Sequence, residues 1–378
     1  MWPKIKPLKP DLSQNLERQQ LYEIEEEKKA SLAYQGIVWK TVKIVTLLSV
    51  AVFTTLIVLT YSTKCLRDHR RYVDAFEEFK NEYERNYDSV EEENYRFDVF
   101  VRNMKEWEEE EKRVGGDLDL DVTQFADYTD DELKRVLMSD MKEMPMEGST
   151  LKKSYIPEGF KRPESIDWRS SGKVSSVKDQ AQCGSCWSFA TVASIESVHA
   201  IKKNQLYSLS EQELIDCEHD QKGCNGGYRP YAFKWIQKNG LVEEKAYPYT
   251  GKDGNDCKLA TNGTKRIYID DYNILSKNED AIADWIASKG PASFGMSVTK
   301  PLFSYRSGIF HPTKEECSEK SHGSHALTII GYGFENGHHY WWVKNSWGSR
   351  WGIDGYFKLA RGHNVCGMAE IVVAPIIN

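Results

Sequence analysis

A stretch of 18 residues without a charged side chain, IVTLLSVAVFTTLIVLTY over 44–61, constrains this chain more than any other feature of its sequence. As an α-helix it would be about 27 Å long, close to the thickness of the hydrocarbon core of a bilayer. The stretch has no polar face, and its many β-branched side chains suit lipid better than the core of a water-soluble domain. We therefore predict a transmembrane helix over residues 44–61.

The position of this stretch argues against a cleaved signal peptide. It is preceded by 43 residues, and no small-x-small cleavage site follows it. We interpret it as a signal anchor behind a separate tail, residues 1–43. Basic residues do not set the orientation, because four lie close to each end of the stretch. They are Lys28, Lys29, Lys40 and Lys43 before it, and Lys64, Arg67, Arg70 and Arg71 after it.

The segment after the anchor predicts two amphipathic helices, which must pack on each other and on a further surface. The first has apolar residues at three- and four-residue steps: Val73, Phe76, Phe79, Tyr83 and Tyr87. The second begins at the capping box Ser89-x-x-Glu92 and ends at Gly115-Gly116. Its apolar face comprises Phe97, Phe100, Val101, Met104 and Trp107. Residues 138–161 mix Met, Pro, Gly, Ser and Lys without periodicity, which predicts an exposed linker.

Charge divides the chain into three parts. Residues 1–61 carry 8 basic and 6 acidic side chains, residues 62–161 carry 17 and 27, and residues 162–378 carry 25 and 24. The middle segment is therefore strongly acidic and lies between two nearly neutral ones. This balance, together with 11 Trp and 20 Tyr, excludes a disordered protein and a protein that coats nucleic acid. A structured core is expected.

The cysteines give the first indication of chemistry, because seven of the eight follow residue 180. Such clustering indicates disulfides, a metal site or catalysis. Cys186 opens a run without Gly or Pro, and the free amides and the dipole at a helix N-terminus favour a thiolate there. A zinc knuckle and a redox pair built on Cys183-x-x-Cys186 are the competing interpretations. The first lacks a second pair at matching spacing, and the second lacks a preceding βαβ pattern.

A thiolate nucleophile needs a base, a group that orients the base, and donors for the oxyanion of the tetrahedral intermediate. His325 is the candidate base, at the start of the apolar strand HALTIIGYG. Asn345, at the end of WWVKN, would fix the imidazole tautomer. Gln180 lies six residues before Cys186 and would donate its side-chain amide to the oxyanion. Each of these residue types alone is more often structural, so the prediction depends on their occurring together.

These residues resemble the papain family of cysteine proteases, in its cathepsin L-like branch. The resemblance runs from about residue 162 to residue 378 and includes QAQCGSCWSF, CNGGY, YPY, SGIF, HALTIIGYG, KNSWGSRWGIDGYF and VCGMAEIVVAP. It implies an α+β fold in which a helical subdomain, led by the Cys186 helix, and a β-barrel-like subdomain, carrying His325 and Asn345, enclose a substrate cleft. It also implies a thiolate–imidazolium pair, a thioester intermediate, and no cofactor or metal.

The resemblance further implies substrate-binding residues and disulfides. The residues expected along the cleft are Gly226, Gly227, Tyr228, Arg229, Gly295, Gly323, Ala326, Trp347 and Ile371. Arg229 replaces an apolar residue that is common at its position. If it turns into solvent, Leu or Phe is preferred at P2; if it turns inward, acidic P2 residues are tolerated. The expected disulfides are Cys183–Cys224, Cys217–Cys257 and Cys317–Cys366, which leave Cys186 free.

The acidic segment resembles the inhibitory propeptides of the same family. One spaced motif is matched by Glu92, Arg96, Phe100 and Asn103, and its usual final Ile and Asn are here Trp107 and Glu111. A second motif is matched by Phe125 and Asp127, and its usual Gly and Asn are here Asp121 and Thr123. We predict a zymogen with its own propeptide over 62–137 as an intramolecular inhibitor, an activation linker over 138–161 and a peptidase domain over 162–378.

Disulfides form in an oxidising compartment, so the C-terminal part is expected to be lumenal and the tail cytosolic. The precursor would be a single-pass type II membrane protein, resembling the cathepsin L-like proteases of apicomplexan parasites. Its mature form is expected to be a monomer in an acidic endolysosome- or vacuole-like lumen. Asn262 is a candidate glycosylation site in the sequon Asn-Gly-Thr. Cys65 is interpreted as an idle thiol, with an intermolecular bridge as the alternative.

We expect acid to trigger maturation. Carboxylates paired in the precursor would have depressed pKa values, and protonation of Asp127 and its neighbours at about pH 4–5 would loosen the prosegment. A papain-fold exopeptidase and an inactive membrane-tethered binding homologue are the alternative functions. The intervals in which exopeptidases carry an inserted loop are short here, and all four expected catalytic residues are present. An endopeptidase acting on proteins and peptides is therefore preferred.

Overall fold

The computed structural model describes residues 12–114, 118–138, 159–254, 256–258 and 264–378. The chain divides into two compact units, residues 1–75 and residues 76–378. The described part of the first unit lies within a single helix, α1 (Leu12–Glu82). The last turns of this helix belong to the second unit.

Helix α1 contains the predicted anchor, residues 44–61, without interruption, and it is long and apolar enough to cross a membrane. The predicted anchor and most of the first amphipathic helix are therefore parts of one helix. Phe76 and Phe79 are buried as predicted. Val73 was predicted on the same apolar face, but this is wrong, because its side chain is exposed. Tyr87 lies beyond the end of the helix, where its ring stacks on Phe76 at 6.0 Å.

The acidic segment forms two further helices and a strand. Helix α2 (Val90–Val114) starts where the sequence predicts, since the Glu92 amide donates to Ser89 Oγ at 3.1 Å. Strand β1 (Leu118–Leu120) and helix α3 (Asp130–Val136) follow. On α2, Phe100 and Trp107 are buried, whereas Phe97, Val101 and Met104 are partly buried. The predicted stop at 115–116 lies outside the described residues.

Residues 162–378 fold into helices, most of them in the first half of this range, and strands, most of them in the second half. The helices are α4 (Cys186–Lys203), α5 (Glu211–Cys217), α6 (Arg229–Asn239), α7 (Glu279–Ser288) and α8 (Lys314–Glu319). The strands are β2 (Ile166–Asp167), β3 (Asp271–Ile274), β4 (Ala292–Thr299), β5 (Tyr305–Phe310), β6 (Ser321–Glu335), β7 (His338–Lys344), β8 (Tyr356–Ala360) and β9 (Val373–Ile376). Helix α4 is buried over most of its length, so it is the core of the helical region.

The strands form one sheet in the order β1-β5-β8-β7-β6-β4-β9-β3, with β2 paired to β6. Their pairings are antiparallel except for the parallel pair β5 and β8. Strand β6 is 15 residues long and can pair with β4 along its first half and with β7 along its second. A Cβ on Gly331 would lie 2.1 Å from the Ile166 carbonyl oxygen, so only glycine lets β2 approach β6. The fold belongs to the α+β class, as predicted.

The prosegment, residues 62–137, contributes a strand to this sheet. Strand β1 pairs with β5, with Leu118 opposite Gly308 and Leu120 opposite Tyr305. Beyond α3 the chain pairs with β6, because Met138 N–H donates to the Ser324 carbonyl at 2.9 Å. Met138 is buried, so the prediction that it begins an exposed linker is wrong. Residues 139–158 of the predicted linker lie outside the described residues.

The structure contains the three disulfides that the resemblance implied. They join Cys183 to Cys224, Cys217 to Cys257 and Cys317 to Cys366. Cys65 and Cys186 are the two free cysteines, and Cys65 is exposed whereas Cys186 is buried. A thiol that must act as a nucleophile is therefore available at position 186.

Candidate active site

Cys186 is the first residue of α4, where the amides of the first helical turn lack partners within the helix. Its sulfur accepts a hydrogen bond from the Ala326 N–H at 3.3 Å, and the residue is completely buried. Ala326 belongs to β6, so the helical region and the sheet meet at this sulfur. The nucleophile predicted from the sequence thus lies at the junction of the two parts of the fold.

His325 precedes Ala326 on β6, and Asn345 immediately follows β7. His325 Nε2 lies 2.8 Å from Asn345 Oδ1, so the Nε2–H form of the ring donates to the amide oxygen. The imidazole stacks on the Trp347 indole, with 4.7 Å between ring centroids. Its Nδ1 is buried and has no hydrogen-bond partner in the described part of the chain. Nδ1 is therefore the nitrogen free to exchange a proton with a thiol.

Gln180 is fixed by Ser346, whose hydroxyl donates to Gln180 Oε1 at 2.6 Å. This contact directs the amide nitrogen of Gln180 away from Ser346. Nε2 donates to the carbonyl oxygens of Cys183 and Val136, both at 2.8 Å. Val136 belongs to the prosegment, so a carbonyl from outside residues 162–378 already occupies the predicted oxyanion donor.

The end of the prosegment lies on the site. Met138 exchanges backbone hydrogen bonds with Ser324, the residue before His325. A Cβ on Gly323 would lie 3.2 Å from the Leu137 Cβ, so glycine provides room for the prosegment at this position. Any substrate backbone that uses Ser324 has to displace residues 136–138.

Burial sets the protonation of the catalytic pair in this precursor. It raises the pKa of the Cys186 thiol to about 12, against the Ala326 hydrogen bond and the charge of Arg229. It also lowers the pKa of His325 to about 4, although the hydrogen bond to Asn345 acts in the opposite direction. The neutral thiol and neutral imidazole are therefore favoured at pH 7. The thiolate–imidazolium pair implied by the resemblance stays a prediction for the mature enzyme.

The expected substrate-binding residues lie around the same junction. Gly227 contacts the Trp187 indole so closely that a Cβ would lie 2.3 Å from the ring. Gly295 leaves space for the Arg229 guanidinium, which is buried and donates from Nη2 to the Ile371 carbonyl at 2.7 Å. The inward orientation of Arg229 is thus the one observed. Gly226 precedes Gly227, and the half-buried Tyr228 packs on Tyr231.

Sequence reasoning missed two contributions to the site. Ser346 orients Gln180, and its position beside Asn345 in the KNSWG motif was the available signal. The prosegment residues Gln124 and Phe125 cover Trp347: Gln124 Nε2 donates to its carbonyl at 2.6 Å, and the Phe125 ring lies 5.1 Å from its indole. These contacts join residues more than 200 positions apart and have no local signature.

No group of three or more potential metal-ligating side chains occurs among the described residues. Asn262, the candidate glycosylation site, lies outside them.

Comparison with known proteins identifies the family. A family model described as papain family cysteine protease matches residues 162–376, which is more than half of the chain. The chain belongs to the papain family of cysteine proteases. A second family model, described as cathepsin propeptide inhibitor domain, matches residues 76–133. The protein is therefore a cysteine protease zymogen with a cathepsin-type propeptide, as the resemblance predicted.

Relatives and solved structures agree with this assignment. The protease is 38% identical over 311 residues to thiol protease aleurain of Arabidopsis thaliana, covering 81% of this chain and 85% of the relative. It is 38% identical over 307 residues to pro-cathepsin H of Bos taurus, covering 80% and 89%. Digestive procathepsin L2 from the larval midgut of Tenebrio molitor superimposes with a TM-score of 0.72 at 35% identity, covering 81% of this chain and 100% of that one. The papain-like fold with a propeptide is confirmed.

The positions at which the propeptide departs from the family motifs still bind within the zymogen. Glu111 Oε1 accepts a hydrogen bond from the Leu120 N–H at 2.8 Å and so fixes the end of β1. Thr123 Oγ1 donates to the Phe303 carbonyl of the protease domain at 2.8 Å. Trp107 is buried. Glu111 and Thr123 therefore each make a hydrogen bond in the zymogen, whereas the buried Trp107 Nε1 makes none to a described residue.

The acidic groups of the propeptide differ from our expectation. Burial raises the pKa of Asp127, despite the charge of Arg85 and the hydrogen bond from Tyr87. The depressed pKa predicted for Asp127 is therefore wrong. Burial acts in the same direction on Glu132, but two hydrogen bonds from Arg96, at 2.7 and 2.8 Å, contribute to lowering its pKa to about 2. Glu132, unlike Asp127, therefore stabilises the folded propeptide at neutral pH through its carboxylate.

Proposed function

We propose that the protein is a cathepsin L-like cysteine endopeptidase in which Cys186 is the nucleophile and His325 the base. His325 Nδ1 accepts the thiol proton, and the sulfur attacks the carbonyl carbon of the scissile peptide bond. The oxyanion accepts hydrogen bonds from Gln180 Nε2 and the Cys186 amide. His325 then protonates the leaving amine, and water hydrolyses the thioester. Asn345 holds the imidazole, and Trp347 covers the hydrogen bond between them.

One observation carries this proposal: Gln180 Nε2 donates to a peptide carbonyl that the propeptide brings into the site. The Val136 oxygen thus sits where the oxyanion of a substrate would need a donor. The free Nδ1 of His325 and the Ala326 contact to Cys186 complete the arrangement. We therefore assign the same cleft to substrates, which replace the propeptide after its removal.

We further propose that the precursor is a type II membrane protein, anchored by residues 44–61 with a cytosolic tail over 1–43. The three disulfides support a lumenal protease domain, residues 162–378. Cleavage within 138–161 would free a monomeric enzyme in an acidic endolysosome- or vacuole-like lumen. The combination of a type II anchor with this protease domain resembles the cathepsin L-like proteases of apicomplexan parasites. Asn262 is the proposed glycan acceptor.

We propose that acid favours maturation and that carboxylates other than Asp127 are responsible for this effect. Glu132 pairs with Arg96, and Asp130 lies 2.9 Å from Lys300 of the protease domain. Burial opposes the shift at Asp130, but the Lys300 contact leaves the pKa of that carboxyl below its usual value. A carboxylate with a lowered pKa stabilises the folded state at neutral pH and loses this effect as the pH falls.

Peptide hydrolysis by Cys186→Ala tests the catalytic assignment, because one sulfur carries the covalent step. The other free cysteine gives the matched control: Cys65→Ala removes an exposed thiol outside the protease domain. We expect Cys186→Ala to abolish turnover and Cys65→Ala to retain it. Activity of Cys186→Ala within tenfold of wild type would refute the mechanism. The N-terminal sequence of the active species tests the cleavage within 138–161.

A further inference from the structure

Arg229, the first residue of α6, is a buried cation without a carboxylate partner in the described part of the chain. Only 6% of its surface is exposed. Nη2 donates to the Ile371 carbonyl at 2.7 Å, whereas Nε is buried and makes no hydrogen bond to a described residue. A single carbonyl does not offset the cost of removing a guanidinium from water, so an anion is the missing partner.

The Arg229 guanidinium lies beside strand β4, and β4 pairs with β6, the strand that contacts the nucleophile. Gly295 on β4 is opposite Ala326 on β6, and the Ala326 N–H donates to Cys186 Sγ. A Cβ on Gly295 would lie 2.5 Å from Arg229 Nη1, so the missing side chain at 295 makes room for the charged group. Residues opposite each other in an antiparallel pair are about 5 Å apart. Arg229 is therefore within a side chain's reach of the reacting sulfur.

Met138, the last described residue before the gap at 139–158, is uncharged. The Met138 side chain belongs to the hydrophobic cluster that includes Cys186 and Ala326, and Ile371 packs against the same cluster. A thioether cannot neutralise a guanidinium. The described residues of the precursor therefore offer Arg229 no anion, and a substrate that replaces residues 136–138 has the opportunity to supply one.

We infer that Arg229 makes this enzyme accept an acidic side chain at P2, the second residue before the scissile bond. The inference rests on the proposed function, since it assigns a substrate class to the same cleft. A Glu carboxylate at P2 would accept charge-assisted hydrogen bonds from the guanidinium, at a site lined otherwise by Gly295, Ala326 and Ile371. Glutamine has the same shape without the charge and binds there less well.

The alternative is that Arg229 only supports the Ile371 carbonyl. The two roles differ in one measurable quantity, the ratio of kcat/KM for a peptide with Glu at P2 to that for the same peptide with Gln. Charge recognition makes this ratio large and dependent on Arg229. A purely structural guanidinium makes it close to one, or below one, and a substitution then changes both substrates equally.

The experiment uses enzyme processed from the full-length precursor, with active sites titrated by a thiol-alkylating inhibitor. Fluorogenic peptides that differ only in Glu, Gln or Leu at P2 are compared at pH 6, above the usual pKa of a Glu side chain. For wild type we expect the Glu/Gln ratio to be at least 10. Arg229→Met should lower that ratio at least tenfold, and Arg229→Lys should lower it less, because a lysine keeps the charge but not the planar fork.

Lys234→Met is the matched control, because it removes a positive charge from an exposed position on the same helix. It should leave the Glu/Gln ratio unchanged. If Arg229→Met yields no folded enzyme, the Glu/Gln ratios of wild type and of Arg229→Lys still test the inference. A wild-type ratio near one, with the Leu peptide cleaved, would overturn this inference alone. If the processed wild type cleaves none of the peptides, the proposed function fails instead.

Discussion

Replacement of Glu132 by glutamine should weaken the propeptide more than any change of an exposed acid. Glu132 accepts two hydrogen bonds from Arg96 and one from the Thr129 amide, at 2.8 Å, in the capping box of α3. Lowering its pKa from 4.5 to about 2 corresponds to about 3 kcal/mol of stabilisation at pH 7, a value that solvent screening reduces because the side chain is partly exposed. Glutamine keeps part of this hydrogen bonding, so we expect a loss of about 2 kcal/mol.

Thermolysin digestion at pH 7 measures this loss in the zymogen carrying Cys186→Ala, which lacks the predicted nucleophile and should not process itself. Cleavage tracks the population of open molecules when opening and closing are fast, so about 2 kcal/mol predicts roughly 30-fold faster loss of the propeptide. The control is Asp131→Asn, which removes the neighbouring charge, because Asp131 is exposed and lies 3.7 Å from Lys134. An exposed pair contributes about 0–1 kcal/mol. Equal digestion rates for the two variants would refute the reasoning.

The same residue predicts how pH acts on the zymogen. The folded pKa is depressed, so the contribution of Glu132 is complete well above pH 4.5 and is lost as the pH falls towards 2. By pH 4 only a small part of it has been lost. Asp127 has a raised pKa, so its protonation stabilises the folded propeptide as the pH falls. The free energies of unfolding of wild type and Glu132→Gln, measured with urea, should therefore differ slightly less at pH 4 than at pH 7. A larger difference at pH 4 would contradict the expected direction of this effect.

Three further predictions follow from the site and the propeptide. Iodoacetamide at pH 8 should modify the exposed Cys65 but not Cys186, whose pKa is about 12; peptide mass spectrometry measures this, and equal modification would contradict it. Asn103→Ala should speed thermolysin digestion, with a cost of about 2 kcal/mol, because its buried amide donates to the Ala126 and Tyr128 carbonyls. In active-site-titrated enzyme His325→Ala should lower kcat by about 10²–10⁴-fold and Asn345→Ala by less, since Asn345 only orients the base; the reverse order would refute the roles.

Much of the site was predictable from sequence because its signals are local. The start of α4 at Cys186, the capping box before α2 and the strand that carries His325 each depend on neighbouring residues, and the structure contains all three. The orientation of Arg229 was not predictable. Both orientations suit the first residue of a helix, and the inward one depends on Gly295, which comes from a strand 66 positions away in the sequence.

The error at Asp127 has a similar cause. Its sequence context is a run of acids, which suggests carboxylates paired at a surface. In the structure it is 3% exposed, and the cost of burial outweighs the nearby positive charges. The burial of Met138 also depends on a distant partner, Ser324. The composition of the segment that follows Met138 contains no information about where the propeptide leaves the cleft.

The pairing of the propeptide strand β1 with the sheet has a consequence besides inhibition. When β1 departs, the outer backbone groups of residues 305–308 lose their partners and become an open sheet edge, a surface on which strands of other molecules can add. Within the precursor a strand of the same chain holds that edge at a high effective concentration and competes with intermolecular pairing. After release the edge is only a few residues long and carries the exposed charge of Arg306, both of which oppose aggregation. The propeptide thus covers this edge in the precursor, and after its release the short length and the charge of Arg306 are what oppose strand addition.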